Sequence, residues 1–124
     1  MIRLRQILWV PVFVSLLLLS SVATAADVFF DALEDLPVMA GLTENPAAAV
    51  TFETATGRIV EVEASGPVAA SAVQQFYADI LPQLGWTVVS DGIFERDRER
   101  LQLLVSDAGE GRVLAAFSLS PKSQ

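Results

Sequence analysis

The hydrophobic pattern in the middle of the chain predicts one amphipathic helix. Apolar residues recur there about every 3.6 residues, the spacing of one helix face. Ser65-Gly66-Pro67 favours a helix start and Gly85 favours its end. The stripe comprises Ala69, Ala72, Val73, Phe76, Ile80 and Leu84, widened by Val68, Tyr77 and Leu81.

Alternating apolar and polar residues predict strands on both sides of this helix. Residues 49–64 predict a hairpin with a three-residue loop at 55–57, because that loop pairs Phe52 with Val60 and keeps the two faces consistent. It also places Gly57 at the left-handed position of such a loop. After the helix, three further strands are predicted. They are 86–96, interrupted by a turn or bulge at Asp91-Gly92, then 100–106 and 112–119.

This order, β-β-α-β-β-β, predicts an α+β fold. Short loops favour an antiparallel sheet of about five strands, with the single helix packed on one face. Leu104 and Leu114 fall on the opposite face, where we expect the Phe29-Phe30 segment to cover them. The predicted core comprises Val50, Phe52, Val60, Val62, Val73, Phe76, Ile80, Leu84, Leu101, Leu103, Val105, Val113, Phe117 and Leu119.

The first 25 residues predict a secretion signal. Arg3 and Arg5 precede a 13-residue apolar run, and Ala23-x-Ala25 fits the small-residue rule for cleavage. Cleavage after Ala25 would deliver the chain to the periplasm or beyond. An uncleaved signal would instead anchor it in the inner membrane, and only in that case do we expect membrane association.

Residues 26–47 predict a separate N-terminal segment ahead of an α+β domain at 48–121. Its first part has helical spacing, with Asp27 as a cap and Pro37 as the stop. The following extended, apolar part could bind a partner's sheet edge or groove, or it could pack over its own domain. We call this part the N-terminal strip: Leu36, Pro37, Val38, Met39 and Leu42.

Composition narrows the range of functions. Removing Arg3 and Arg5 from eight basic residues leaves six against 15 acidic ones, a net charge of −9, which disfavours binding to nucleic acid. The chain has no histidine and no cysteine, so Ser-His and Cys-His catalytic arrangements and disulfides are excluded. We therefore expect no enzymatic activity, no metal and no cofactor.

Three clusters of side chains are candidates for binding. The charged run 95–100 carries three arginines that could hold an anion, although interleaved acids favour a solvated turn. Glu53, Glu61 and Glu63 share the outer face of the predicted hairpin, but a flat strand face is poorly suited to wrap a Ca²⁺ ion. Tyr77 and Trp86 could line a ligand pocket between helix and sheet, or belong to the core and its rim.

The helix end carries a family resemblance. Residues 73–86 (VQQFYADILPQLGW), followed by Phe94-Glu95-Arg96, resemble small, largely uncharacterised exported proteins of proteobacteria, which share an aromatic pair, Leu-Pro and then Gly-Trp. Residues 35–39 (DLPVM) are similar as well, so the resemblance extends over most of residues 35–121. It implies a helix packed on a sheet, and it implies no activity.

These patterns together favour an exported, non-enzymatic accessory or interaction domain whose partner is another envelope protein. The alternative is a small-molecule binding module that uses a pocket near Tyr77 and Trp86.

Overall fold

The computed structural model describes residues 28–123. The predicted signal peptide, including Ala23 and Ala25, lies outside the described residues. Within them, a single α-helix and seven strands follow one another in the order β1 (Thr43–Glu44), β2 (Val50–Thr54), β3 (Gly57–Gly66), α1 (Ala70–Gln83), β4 (Thr87–Ser90), β5 (Ile93–Arg96), β6 (Glu99–Gly109) and β7 (Arg112–Pro121). A short 3-10 helix, Pro46–Ala48, separates β1 from β2.

All seven strands form one antiparallel sheet in the order β1-β3-β7-β6-β5-β4, and β2 also pairs with β3. β1 and β2 lie on the same edge of β3, because β1 pairs near its end and β2 near its beginning. The predicted α+β class and the single helix are confirmed. The strand number is higher than predicted because β1 was missed, and because Asp91-Gly92 forms a tight turn that divides 86–96 into β4 and β5.

The helix begins later than predicted and ends where predicted. β3 continues through Gly66, which pairs with Val113, so Ser65-Gly66-Pro67 does not start the helix and Ala70 does. At the other end, Gly85 has a positive φ of 90°. The Trp86 N–H donates to the Leu81 carbonyl and the Gly85 N–H to the Pro82 carbonyl. This is the Schellman arrangement that a glycine after a helix favours.

The predicted three-residue hairpin loop is wrong. Thr54 pairs with Gly57, and Phe52 pairs with Ile59 rather than Val60, so the loop contains two residues. This register turns Phe52 and Val50 away from the helix, where they are 50% and 45% exposed. The prediction failed because β2 lies at the sheet edge beyond the helix cover, so burial does not enforce the apolar register there.

The N-terminal segment, residues 28–42, is not helical. Phe29 and Pro37 form a β-bridge, and the Val38 N–H donates to the Val28 carbonyl at 2.7 Å. Pro37 cannot donate a hydrogen bond, and the chain folds back on itself at this point instead of forming the predicted short helix. Nor does the segment cover Leu104 and Leu114. Phe30 stacks edge-on against Phe117, on the same face of the sheet as the helix.

The core therefore lies between one face of the sheet and two covering elements, α1 and the N-terminal segment. We call this covered side the inner face and the opposite side the outer face. The helix contributes Val73, Tyr77 and Leu81 as its fully buried residues, one turn apart. The predicted core is confirmed for Val73 and for most strand positions, whereas Phe76, Ile80, Leu84 and Val105 are only partly buried. The additional buried residues are Phe30, Leu33, Leu36, Val38, Leu42, Ala64, Tyr77, Leu81, Trp86, Phe94 and Ala115.

Among residues 28–123, no helix is both long enough and apolar enough to cross a membrane.

Candidate functional site

The Tyr77 hydroxyl attaches the N-terminal strip to the helix. It donates to the Pro37 carbonyl at 2.8 Å and accepts the Met39 N–H at 3.1 Å. The ring is fully buried and contacts Phe76 and Phe117 edge-on. Because a buried hydroxyl must be hydrogen-bonded to avoid a desolvation penalty, these two bonds fix the position of Pro37 and Met39 beside the helix.

The side chains of the N-terminal strip mostly belong to the domain's own core. Leu36, Val38 and Leu42 are buried, whereas Pro37 and Met39 are partly buried. Of the two arrangements considered from the sequence, the strip adopts the one in which it packs over its own domain. A partner could contact these apolar side chains only after the strip had left the core.

Tyr77 and Trp86 do not face a shared pocket. The cavity beside Trp86 has a volume of about 10 Å³, and Tyr77 is not among its lining residues. That volume holds about one water molecule, whereas small-molecule sites usually measure hundreds of cubic ångströms. Both aromatic residues are consequently parts of the core.

Arg96 joins three elements around Trp86. Its guanidinium lies 4.3 Å from the centre of the Trp86 ring and donates to the Leu84 carbonyl at 3.0 Å, at the end of α1. A second nitrogen forms an ion pair with Asp35 at 2.7 Å, in the N-terminal segment. Arg96 therefore caps the helix C-terminus, where a positive charge is favourable, while it also holds the segment in place.

The other charges of the run 95–100 are mostly paired across strands. Glu95 accepts from Arg100 and from Lys122 at 3.0 Å each. These contacts, Lys122 first and Arg100 second, lower the pKa of the Glu95 carboxyl. Glu99 forms two hydrogen bonds with Arg58. The solvated, paired turn considered from the sequence is what the structure contains, and the three arginines do not converge on a common point.

The three glutamates of the first hairpin do not share a face. In the observed register Glu53 pairs with Arg58. Arg58 lies two residues before the inward-facing Val60, so Arg58 and Glu53 are on the inner side of the sheet. Glu61 and Glu63 alternate with Val60 and Val62 and lie on the outer side. Within residues 28–123 there is no group of three acidic side chains arranged to hold a metal ion.

The outer face of the sheet is open and carries exposed apolar side chains. Leu104 is 64% exposed, and Phe52 and Val50 lie on the same face. A shallow groove of about 280 Å³ crosses this face and is lined by residues that include Glu61, Gln102 and Leu104. The sequence indicated Leu104 as an outward residue, but the wrong hairpin register concealed Phe52 and Val50.

Comparison with known proteins gives no relative from which a site could be transferred, because neither a family model nor a curated protein nor a solved structure matches the chain.

The single tyrosine of the chain provides a pH test of the clamp on the strip. Burial raises the pKa of Tyr77 from 10.0 to about 12, although the Met39 hydrogen bond opposes the shift. Because the folded state prefers the neutral phenol, the contribution of the Tyr77 hydroxyl to the free energy of unfolding should be complete below pH 10 and lost as the pH rises through 12. Tyrosinate absorbance should therefore titrate near pH 12 in the folded chain and near pH 10 in denaturant.

The control for this titration is Tyr77→Phe, which removes the hydroxyl but keeps the ring. This variant should be less stable at neutral pH by about 1–2 kcal/mol, because two backbone groups lose their partner. It should also lose part of the alkaline destabilisation seen in the original chain. A Tyr77 titration near pH 10 in the native protein would show that the hydroxyl is not buried.

Arg96 and its neighbour Arg98 on the same turn provide a matched pair of substitutions. Arg96→Met should lower the free energy of unfolding by about 2 kcal/mol, because it removes the helix cap and the contact with Trp86. Arg98→Met is the control, since Arg98 is exposed, and it should have almost no effect. Asp35→Asn should cost less than about 1 kcal/mol, as expected for a partly exposed ion pair. Equal losses for Arg96→Met and Asp35→Asn in urea unfolding would contradict this ranking.

Proposed function

We propose that this chain is an exported, periplasmic domain without enzymatic activity, and that it binds another envelope protein through the outer face and free edges of its sheet. The observation that carries the proposal is the contrast between the two faces. Around Trp86 the inner face is filled, and the cavity there measures only about 10 Å³. The outer face exposes Leu104, Phe52 and Val50.

Several features support an interaction surface on the outer side. Exposed large apolar side chains on an open sheet face can contact another molecule. The apolar residues are interleaved with Glu61, Glu63 and Gln102, which lie on the same face. This mixture of apolar and polar groups is common in interfaces that form between separately folded proteins. The open face therefore replaces the N-terminal strip as the surface for binding.

The alternative, a small-molecule module centred on Tyr77 and Trp86, has less support. Both side chains are buried, and the Tyr77 hydroxyl and the Arg96 guanidinium are already engaged with the chain's own backbone. Opening a pocket there would separate the helix from the sheet and disrupt the contacts of Tyr77 and Arg96.

Export supports the choice of an envelope partner, and it rests on the sequence pattern of residues 1–25. The Ala23-x-Ala25 site predicts that the protein recovered from cells begins at Ala26. If the signal stays uncleaved, the same domain would face the same compartment from a membrane anchor, so the choice of partner does not depend on cleavage.

Photo-crosslinking in the native host tests this function. A photoreactive amino acid placed at position 104 or 52 of the full chain should give discrete adducts with a second envelope protein, since both side chains are exposed on the outer face. The control position is Gln83, which is exposed on the helix and should give none. Fractionation and N-terminal sequencing of the same samples report export and cleavage.

Two results would contradict the proposal. Absence of adducts at positions 104 and 52, with normal protein levels, would contradict the proposed interaction surface. Recovery of the protein only in the cytoplasm would contradict the proposal of an envelope partner.

A further inference from the structure

The sheet has a notch at one side, which we define by the end of β5 and the continuing edge of β6. The last residue pair of β5 with β6 joins Ile93 and Gln102, and the Leu103 N–H donates to the Gly92 carbonyl at 2.7 Å. Beyond this point β6 continues to Gly109, and among residues 28–123 only β7 pairs with it. About 20 Å of β6 edge, Leu104 to Gly109, therefore lacks a neighbouring strand on one side.

The backbone of this edge is oriented for pairing. Successive residues of a strand direct their N–H and C=O groups to opposite neighbours. Since the Leu103 N–H points toward β5, the backbone groups of Val105 and Asp107 point into the notch. Those of Leu104 and Ser106 point toward β7, where their partner residues are Ala116 and Leu114. An unpaired edge of this kind is a template for an added strand.

Beside the notch lies a groove of about 570 Å³ between the sheet and the helix. On its inner side the groove is lined by four residues of α1, Ser71, Gln74, Gln75 and Ala78. These helix side chains are small or uncharged, so they leave room for the inward side chains of an added strand. On the outer side Leu104 is 64% exposed, and an apolar side chain on the added strand would cover it.

Charge indicates the chemistry of the occupant. Asp91 is the only charged residue that lines the groove, and Asp107 lies on the free part of β6. Both are acidic, so a basic residue on the occupant would be attracted. A second copy of this chain would meet the same acids and a net charge of −9 after cleavage, so self-pairing is disfavoured.

The other edges of the sheet are less suited to strand addition. β4 has only four residues, and its pairing shifts register between Val88 and Ser90. At the opposite side, the 3-10 helix Pro46–Ala48 interrupts the edge between β1 and β2. Short strands, irregular pairing and proline are common protections against added strands. The free β6 edge, Leu104 to Gly109, is longer than β4, and its pairing with β7 is regular as far as Asp107.

We propose that an extended segment of a partner protein adds to the β6 edge in this notch. The segment pairs with the backbone of Val105 and Asp107, directs small or polar side chains toward α1, and places an apolar side chain beside Leu104 and a basic residue beside Asp91. This inference rests on the proposed interaction function and specifies its site and the partner's chemistry. Backbone pairing provides affinity in this mode, and alternate side chains provide specificity.

The test uses amide NMR and hydrogen exchange on the full chain with a defined probe. The probe is a synthetic peptide of alternating threonine and valine residues with a lysine at each end, and the comparison peptide has glutamate in place of lysine. In the free protein, the amides of Leu104 and Ser106 should be protected and those of Val105 and Asp107 should exchange rapidly. The lysine peptide should slow exchange at Val105 and Asp107, and the glutamate peptide should bind more weakly.

Matched variants separate the notch from the rest of the surface. Leu104→Lys and Asp91→Lys should each raise the Kd of the lysine peptide about tenfold, corresponding to about 1.4 kcal/mol. Val28→Lys and Glu53→Lys make the same kinds of chemical change at exposed positions that do not line the notch, and they should leave the Kd within about twofold. Protection of the Leu101 and Leu119 amides verifies that each variant is folded.

Four results would overturn the proposal. These are no saturable change at the notch, changes confined to the β4 edge, equal weakening by the control variants, or concentration-dependent changes without peptide that reveal self-association. Crosslinks at position 52 together with any of these results would retain the interaction function and reject the notch. Absence of both crosslinks and peptide binding would reject the two together.

Discussion

The hydrogen-bonded hydroxyl of Tyr77 is the interaction on which the arrangement of this domain depends. It joins the middle of the helix to the backbone of Pro37 and Met39, and its ring packs against Phe117 in the sheet. Since helix α1 covers only part of the inner face, the N-terminal segment covers a further part of it. Arg96 makes a second attachment through Asp35 and the end of the helix. Helix, segment and sheet thus form one core.

This shared core explains which surfaces remain for function. The residues that looked suited to binding in the sequence, the N-terminal strip with Tyr77 and Trp86, are used for folding. The outer face and the β6 edge remain accessible, because no element within residues 28–123 lies over them. An open sheet needs only backbone and apolar contacts to bind an extended segment.

Local patterns predicted the elements better than their contacts. The helix periodicity, Gly85 and the alternation in β6 and β7 all predicted the observed structure, since each depends on neighbouring residues. The failures concern long-range packing. Phe52 was assigned to the core although the helix does not extend over β2. Phe29 and Phe30 have helical spacing, yet the segment forms a bridge to Pro37 because its apolar residues pack against the sheet. Similarly, the free edge of β6 depends on how soon β5 ends, which no local pattern specifies.

Native-state hydrogen exchange measures most directly whether residues 28–42 are an integral part of the folded core. The Met39 amide, which donates to Tyr77, should open only when the whole domain unfolds. Its opening free energy should then equal that of the Leu119 amide in β7 to within about 1 kcal/mol. If the Met39 amide opened at a free energy several kcal/mol lower, the segment would be a separable cover, and helix, segment and sheet would not share a single core.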